Sequence, residues 1–189
     1  MPIYAPNACC EYLSENINGA HRLHPLPIGE AVELRDSAVC AIPTPHDSRG
    51  SVGFRIRAGE EKIGYFTDIG HLSEGVLRGL SGCKRVVIES NHDIDMLRHG
   101  SYPYSLKQRI LGAKGHLSNE LCAKLLPHLV KHGAEAFMLA HLSEENNLPE
   151  LAYRESYRSL VDNGIEVETG YPSSVRLNVA PVCGIKELK

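Results

Sequence analysis

The chain has 189 residues, of which 42% are hydrophobic, 23% charged and only 6% aromatic, and its formal net charge is −3. That length can bury a core of its own, and the slightly negative balance excludes a generally basic nucleic-acid coat, so a polyanionic partner would need a local positive patch. No run of 18 apolar residues spans the chain and no charged-then-apolar leader opens it, which excludes a membrane span and makes the cytoplasm the expected compartment. The six cysteines (Cys9, Cys10, Cys40, Cys83, Cys122 and Cys183) form no CxxC pair and no zinc-finger spacing, as expected of idle thiols in reducing surroundings.

In chain order, "PIYAPNACCEYL" predicts a short strand followed by a helix starting near residue 7. Strands are then expected at "AVEL", "AVCAIPT", "SVGFRIRA" and "KIGYFTD", the last two forming a hairpin around "AGEE". Further strands follow at "RVVIES", "EAFMLA", "IEVET" and "VRLNVA", with helices starting near residues 72, 104, 118 and 148. "SNELCAKLLPHLVKHG" has Ser118 as its N-cap, Leu121, Leu125 and Leu129 on one face, and Gly133 past its end; Pro127 predicts a kink or break inside it. Pro149 suits the first turn of the last helix. Strands dominate the first half and alternate with helices in the second. With no repeat or low-complexity segment, this predicts a single layered α/β domain over residues 1–189.

Chemistry collects where strands end. His46 follows "VCAIPTP", Asp68 follows "KIGYFT", Glu89 follows "RVVI", His116 precedes a helix in "KGHLSNE", and His141 follows "EAFMLA". Loops at carboxyl ends of strands are where layered α/β folds assemble sites, and these side chains bind divalent metals and move protons. Singly, each has an ordinary alternative, since strand-end aspartates cap turns and lone histidines sit on surfaces. Five in the same kind of position argue for one site.

The ordered series "PTPHD", "FTDIG", "ESNHD", "GHLSNE" and "LAHLSEENN" resembles the metallo-β-lactamase superfamily of metal-dependent hydrolases, and within it the YycJ/WalJ-like branch of bacterial DNA exonucleases. The resemblance implies a metallo-β-lactamase αββα sandwich and, in the intact protein, a phosphodiesterase or 5′–3′ DNA exonuclease using two divalent ions, Zn or Mn. It implies metal-ligand roles for His46, Asp68 (bridging both ions) and His141. Glu89 and His116 would be the pair that delivers a proton to the leaving oxygen. Two cations about 3.5–4 Å apart clamp a phosphate and generate hydroxide near neutral pH, and a carboxylate-supported imidazole is a good proton donor.

The family's HxHxDH motif occurs nowhere in the 189 residues; the nearest approach, "HRLH" at His21 and His24, has the wrong spacing. The resemblance therefore implies an incomplete domain, the C-terminal two-thirds of the fold without the first strands of its N-terminal sheet. Three ligands divided over two ions fall short of the three or four that hold each catalytic zinc. Metal occupancy and activity of this chain alone are accordingly open. The readings are a truncated, split or decayed gene, with a complementing N-terminal segment as a candidate partner. A non-catalytic fragment and a hydrolase of RNA or small phosphodiesters are the alternatives to a DNA enzyme.

Secondary candidates surround this set. Lys107 and Arg109, with Tyr102, Tyr104 and Lys114, suit phosphate contacts beside a base, or a solvated helix with its tyrosines on the core. Ser118 suits a phosphate contact or, more simply, a helix cap. His92 and Asp93 follow Glu89 closely enough to face the same cleft, though Asp93 is expected rather to cap a helix, and His71 is expected to face solvent.

Overall fold

The computed structural model describes residues 2–168 and 174–181. Strand β1 (Ile3–Pro6) runs into helix α1 (Asn7–Asn16), and β1 pairs in parallel with β2 (Leu23–Leu26) as a two-stranded sheet. The main sheet has seven strands in sequential order: β3 (Ala31–Leu34), β4 (Ser37–Pro43), β5 (Val52–Ala58), β6 (Glu61–Phe66), β7 (Arg85–Glu89), β8 (Ala136–Ala140) and β9 (Arg176–Val179). β3 to β6 are antiparallel neighbours, whereas β6 to β9 are parallel. The parallel steps need crossovers, and helices supply them: α2 (Glu74–Leu80), then α3 (Ile94–His99), α4 (Tyr104–Leu111) and α5 (Asn119–Lys131), then α6 (Pro149–Asp162).

This arrangement places one edge of the sheet at the site. β4, β6, β7 and β8 all point the same way, so their carboxyl ends fall along a single rim. Behind it, α2, α5 and α6 cover one face through Val76, Leu80, Leu125, Leu129, Ala152 and Leu160, packed on Phe66, Val86, Ile88, Phe137, Leu139 and Leu177. On the opposite face Val39, Phe54, Ile56 and Ile63 are half-buried and Tyr65 is exposed.

The expected strands and helices form, with two differences. "IEVET" contributes only a bridge from Val167 to Val175, because Glu168 takes a left-handed φ of 54° that ends the extended run; Thr169 and Cys183 lie outside the described residues. Nor does Pro127 break α5. Proline cannot donate to the carbonyl of Ala123 four residues back, but the Ser159 hydroxyl of α6 donates to that oxygen at 2.7 Å. The orphaned acceptor becomes a helix–helix contact. Cys9, Cys10, Cys40, Cys83 and Cys122 are free thiols, and burial pushes Cys122 up to about 12, well away from a reactive thiolate.

Glycine decides the packing of α2 on the sheet. A Cβ on Gly53 would overlap the Phe66 ring, and one on Gly79 would sit 2.6 Å from Ile42 Cδ1. A Cβ on Gly75, in the first turn of α2, would meet only Ser73 Oγ at an ordinary 3.7 Å. Gly53→Ala is therefore expected to lower stability by about 1–3 kcal/mol through overpacking. Gly75→Ala should raise it by roughly 0.5–1 kcal/mol through helix propensity. Urea unfolding of the two variants measures both; equal effects would contradict the packing described.

Candidate metal centre

The rim brings together all five strand-end residues. Glu89, the last residue of β7, is fully buried at 0% exposure and accepts four hydrogen bonds. Its Oε1 takes His116 Nδ1 at 2.8 Å and His141 Nδ1 at 2.6 Å. Its Oε2 takes the backbone N–H groups of Ile69 at 2.7 Å and Leu117 at 3.1 Å. Burial pushes this carboxyl's pKa up, but the bonds from His116, His141 and Ile69 outweigh it and hold the group down at about 2. The same bond raises the pKa of His141.

With Nδ1 of both rings donating to Glu89, each Nε2 is left as the free ring position. Asp68 Oδ1 lies 3.9 Å from both Nδ1 atoms and 3.4 Å from His46 Nε2. The rings of His46 and His141 flank that of His116, with centroids 4.9 and 5.3 Å from it. Ligand atoms of Asp68, Glu89, His116 and His141 all fall within 4.8 Å of one another.

The donor set suits a divalent cation, and one observation favours it. His46 Nε2 is buried without a hydrogen-bond partner beside the Asp68 carboxylate. An orphaned ring nitrogen next to a carboxylate is the arrangement a cation resolves. Ser48 N–H donates to His46 Nδ1 at 2.9 Å, so the neutral ring carries its proton on Nε2. Ligation through Nε2 moves that proton to Nδ1, where Ser48 Oγ at 3.0 Å and Asp47 Oδ1 at 3.4 Å can accept it. Asp68 and His141 also hold left-handed backbone, with φ of 55° and 58°. Such strain, about 1–3 kcal/mol per residue, persists where surroundings impose it and clusters at functional sites.

Residues that sequence reasoning passed over hold the loops in place. Asn119 and Asn147 pair through both amides, at 2.8 and 2.9 Å. Ser90 Oγ donates to Asn119, and Asn147 donates to the carbonyls of Ser90 and Asn91. This buried lattice ties the loop after Glu89 to those carrying His116 and His141. Its members sit inside "ESNHD", "GHLSNE" and "LAHLSEENN", so the motifs contained the signal, but chain order alone does not pair them.

The secondary candidates make contacts within the chain. Lys107 donates to the carbonyls of Arg98 at 2.9 Å and Gly100 at 2.7 Å, closing the end of α3. Arg109 grips Asp47 with two nitrogens, which holds that carboxyl down at about 2 and fastens the His46 loop to α4. Ser118 caps α5 through Leu121 N–H, and Asp93 caps α3 through Met96 N–H. His71 is exposed, with Nδ1 2.8 Å from the Ala113 carbonyl oxygen. Tyr104 is 77% exposed, so it is not packed on the core. His92 is 1% exposed, and neither ring nitrogen has a partner.

Residues 1–142 match the family model described as the beta-lactamase superfamily domain. The chain belongs to that family. It is 31% identical over 170 residues to an exodeoxyribonuclease YycJ of Bacillus anthracis, covering 88% of this chain and 64% of that protein. Among solved structures it resembles the metallo-β-lactamase fold protein YhfI of Bacillus subtilis, with a TM-score of 0.66 and 13% identity over 95% of this chain and 60% of that one. It also resembles Zn2+-bound PqqB of Methylobacterium extorquens, with a TM-score of 0.60 and 17% identity over 95% and 62%. The fold is that of the metallo-β-lactamases, and the chain spans under two-thirds of these relatives' lengths. Among the described residues no helix is long and apolar enough to cross a membrane.

Two measurements check this geometry. Asn147→Ala strips partners from Asn119 and two backbone carbonyls, and is expected to lower stability by roughly 2–4 kcal/mol in urea unfolding. A loss below 0.5 kcal/mol would show that the lattice does not brace the loops. Burial, helped by the neighbouring His116 ring, pushes His92 down to about 4 against the opposing charges of Glu89 and Asp93. Above pH 6.5 this ring is neutral folded or unfolded; below, the unfolded chain takes up the proton first. Stability should thus fall by up to about 3 kcal/mol between pH 6.5 and 4 on this account, and His92→Phe should remove that part of the slope.

Proposed function

We propose that this chain carries the proton-transfer half and three metal ligands of a metal-dependent phosphodiesterase that degrades DNA from its ends. The observation that carries the reading is the Glu89 carboxylate holding His116 and His141 by Nδ1, beside Asp68 and the unpartnered His46 Nε2. The 31% identity to an exodeoxyribonuclease supports DNA as the substrate class.

His46, Asp68 and His141 would hold the cation, which when bound supplies Lewis-acid polarisation of a phosphate and lowers the pKa of its water. Three protein donors match a catalytic site with one position open, so one ion per chain is expected from these residues rather than two. Glu89 fixes both rings and keeps their Nε2 positions directed away from itself. His116, supported at Nδ1 by Glu89 and carrying protons on both ring nitrogens, would donate the Nε2 proton to the departing oxygen of the cleaved ester and be left as the neutral ring. The Arg109–Asp47 clamp positions the loop that bears His46.

The test uses the 189-residue chain with Zn or Mn, measuring metal content and cleavage of end-labelled single-stranded DNA, duplex DNA, tRNA precursors and a small phosphodiester. About one ion per chain and release from DNA ends are expected. Glu89→Gln should weaken metal binding by roughly 10–100-fold by loosening the rings, and Asp68→Asn should reduce it further. A metal-free chain that leaves every substrate intact would overturn the proposal in favour of the non-catalytic reading. Preference for RNA or the small ester would reassign the substrate.

A further inference from the structure

Beside His116 lies a pocket of about 210 Å3 that the catalytic reading does not use. His92, Ile94, Leu111, His116, Ser118 and Leu121 line it, between the start of α3, the end of α4 and the first turn of α5. Leu121 shares the spacing of Leu125 and Leu129 but does not join their core; it is 42% exposed at the pocket, as Leu111 is at 39%. Two leucines left in solvent at one opening, with a buried unpartnered histidine in the wall, form a site looking for a ligand of matching character.

That character is narrow. The volume is below the roughly 300–1,000 Å3 typical of drug-sized ligands, which suits a single ring system. Aliphatic walls favour the faces of a planar ring. The one fixed charge in the lining, Glu120, opposes an anion, and its carboxylate is engaged with Lys124 at 2.5 Å. A neutral imidazole offers one N–H and one lone pair, the complement of a nucleobase edge, which carries both donors and acceptors. Leaving both buried nitrogens unpaired is costly, and a bound base edge would recover that cost.

We infer that this pocket receives the base of the terminal nucleotide on the leaving-group side of the scissile phosphate, with His92 reading its edge and Leu111 and Leu121 gripping its faces. The inference rests on the proposed role of His116, since a base seated here places its own sugar oxygen toward that ring. His92 would be a specificity residue that positions substrate through the base and touches no reacting atom.

The experiment titrates thymidine, deoxyadenosine and deoxyribose 5-phosphate into the full chain, following histidine ring resonances and heat of binding. The nucleosides should shift the His92 signals and the sugar phosphate should not. His92→Phe keeps the ring volume and removes both nitrogens, so it should preserve or raise Tm while weakening nucleoside binding at least tenfold. Leu121→Gln, on an exposed position, should weaken it as well without unfolding the chain. Equal binding of nucleoside and sugar phosphate, or unchanged nucleoside affinity in both variants, would overturn the inference. A DNA substrate with an abasic terminal residue separates the two proposals. Cleavage of abasic and normal ends at the same rate would sink the base pocket and leave the phosphodiesterase standing, whereas nucleoside binding without any DNA cleavage would sustain the pocket and sink the phosphodiesterase.

Discussion

Everything at the sheet rim depends on one buried carboxylate. Glu89 is removed from water at the end of a central parallel strand, where an uncompensated charge would be prohibitive. Four donors from three segments converge on it: Ile69 N–H from the Asp68 loop, His116 and Leu117 N–H from the entry to α5, and His141 from the end of β8. Each bond that keeps the charge tolerable also locates a functional loop. Electrostatic satisfaction of the core and assembly of the site are the same event.

Around that anchor the structure spends side chains on holding geometry. The Asn119–Asn147 pair and Ser90 lock the backbones flanking the histidines, while Arg109 restrains the loop of His46. Left-handed backbone at Asp68 and His141 is sustained by this bracing. Three donors fixed on a rigid rim are better preorganised than donors on free loops. The pocket walled by His92 continues the rim beyond His116.

Much of this was legible before folding. Apolar alternation located the strands, and the position of His46, Asp68, Glu89, His116 and His141 at element ends marked them as a set, because a strand end in a layered α/β sheet faces the rim. Other readings depended on distance. Lys107 and Arg109 suit phosphate contacts or a solvated helix, and only the structure shows that one closes a helix end and the other pairs with Asp47, 62 residues away. Leu121 fits the helical stripe but misses the core, because the i+4 spacing drifts around a helix, and it stays 42% exposed. Pro127 predicts a break that Ser159, a residue of another helix, prevents.

The sequence by itself determined most of the order of elements (β2 excepted), the family, and the chemical types present at the rim, since periodicity, turn residues and motif order are local properties of a chain. It also determined that no HxHxDH is available among these 189 residues. Only the tertiary structure decided that Glu89 orients two histidines at once, that His46 keeps an unpartnered nitrogen beside Asp68, and that His92 is buried in the wall of a pocket beside His116. The reason is physical: hydrogen-bond partners and burial are set by which segments meet in space, and for these residues the meeting segments lie tens of positions apart.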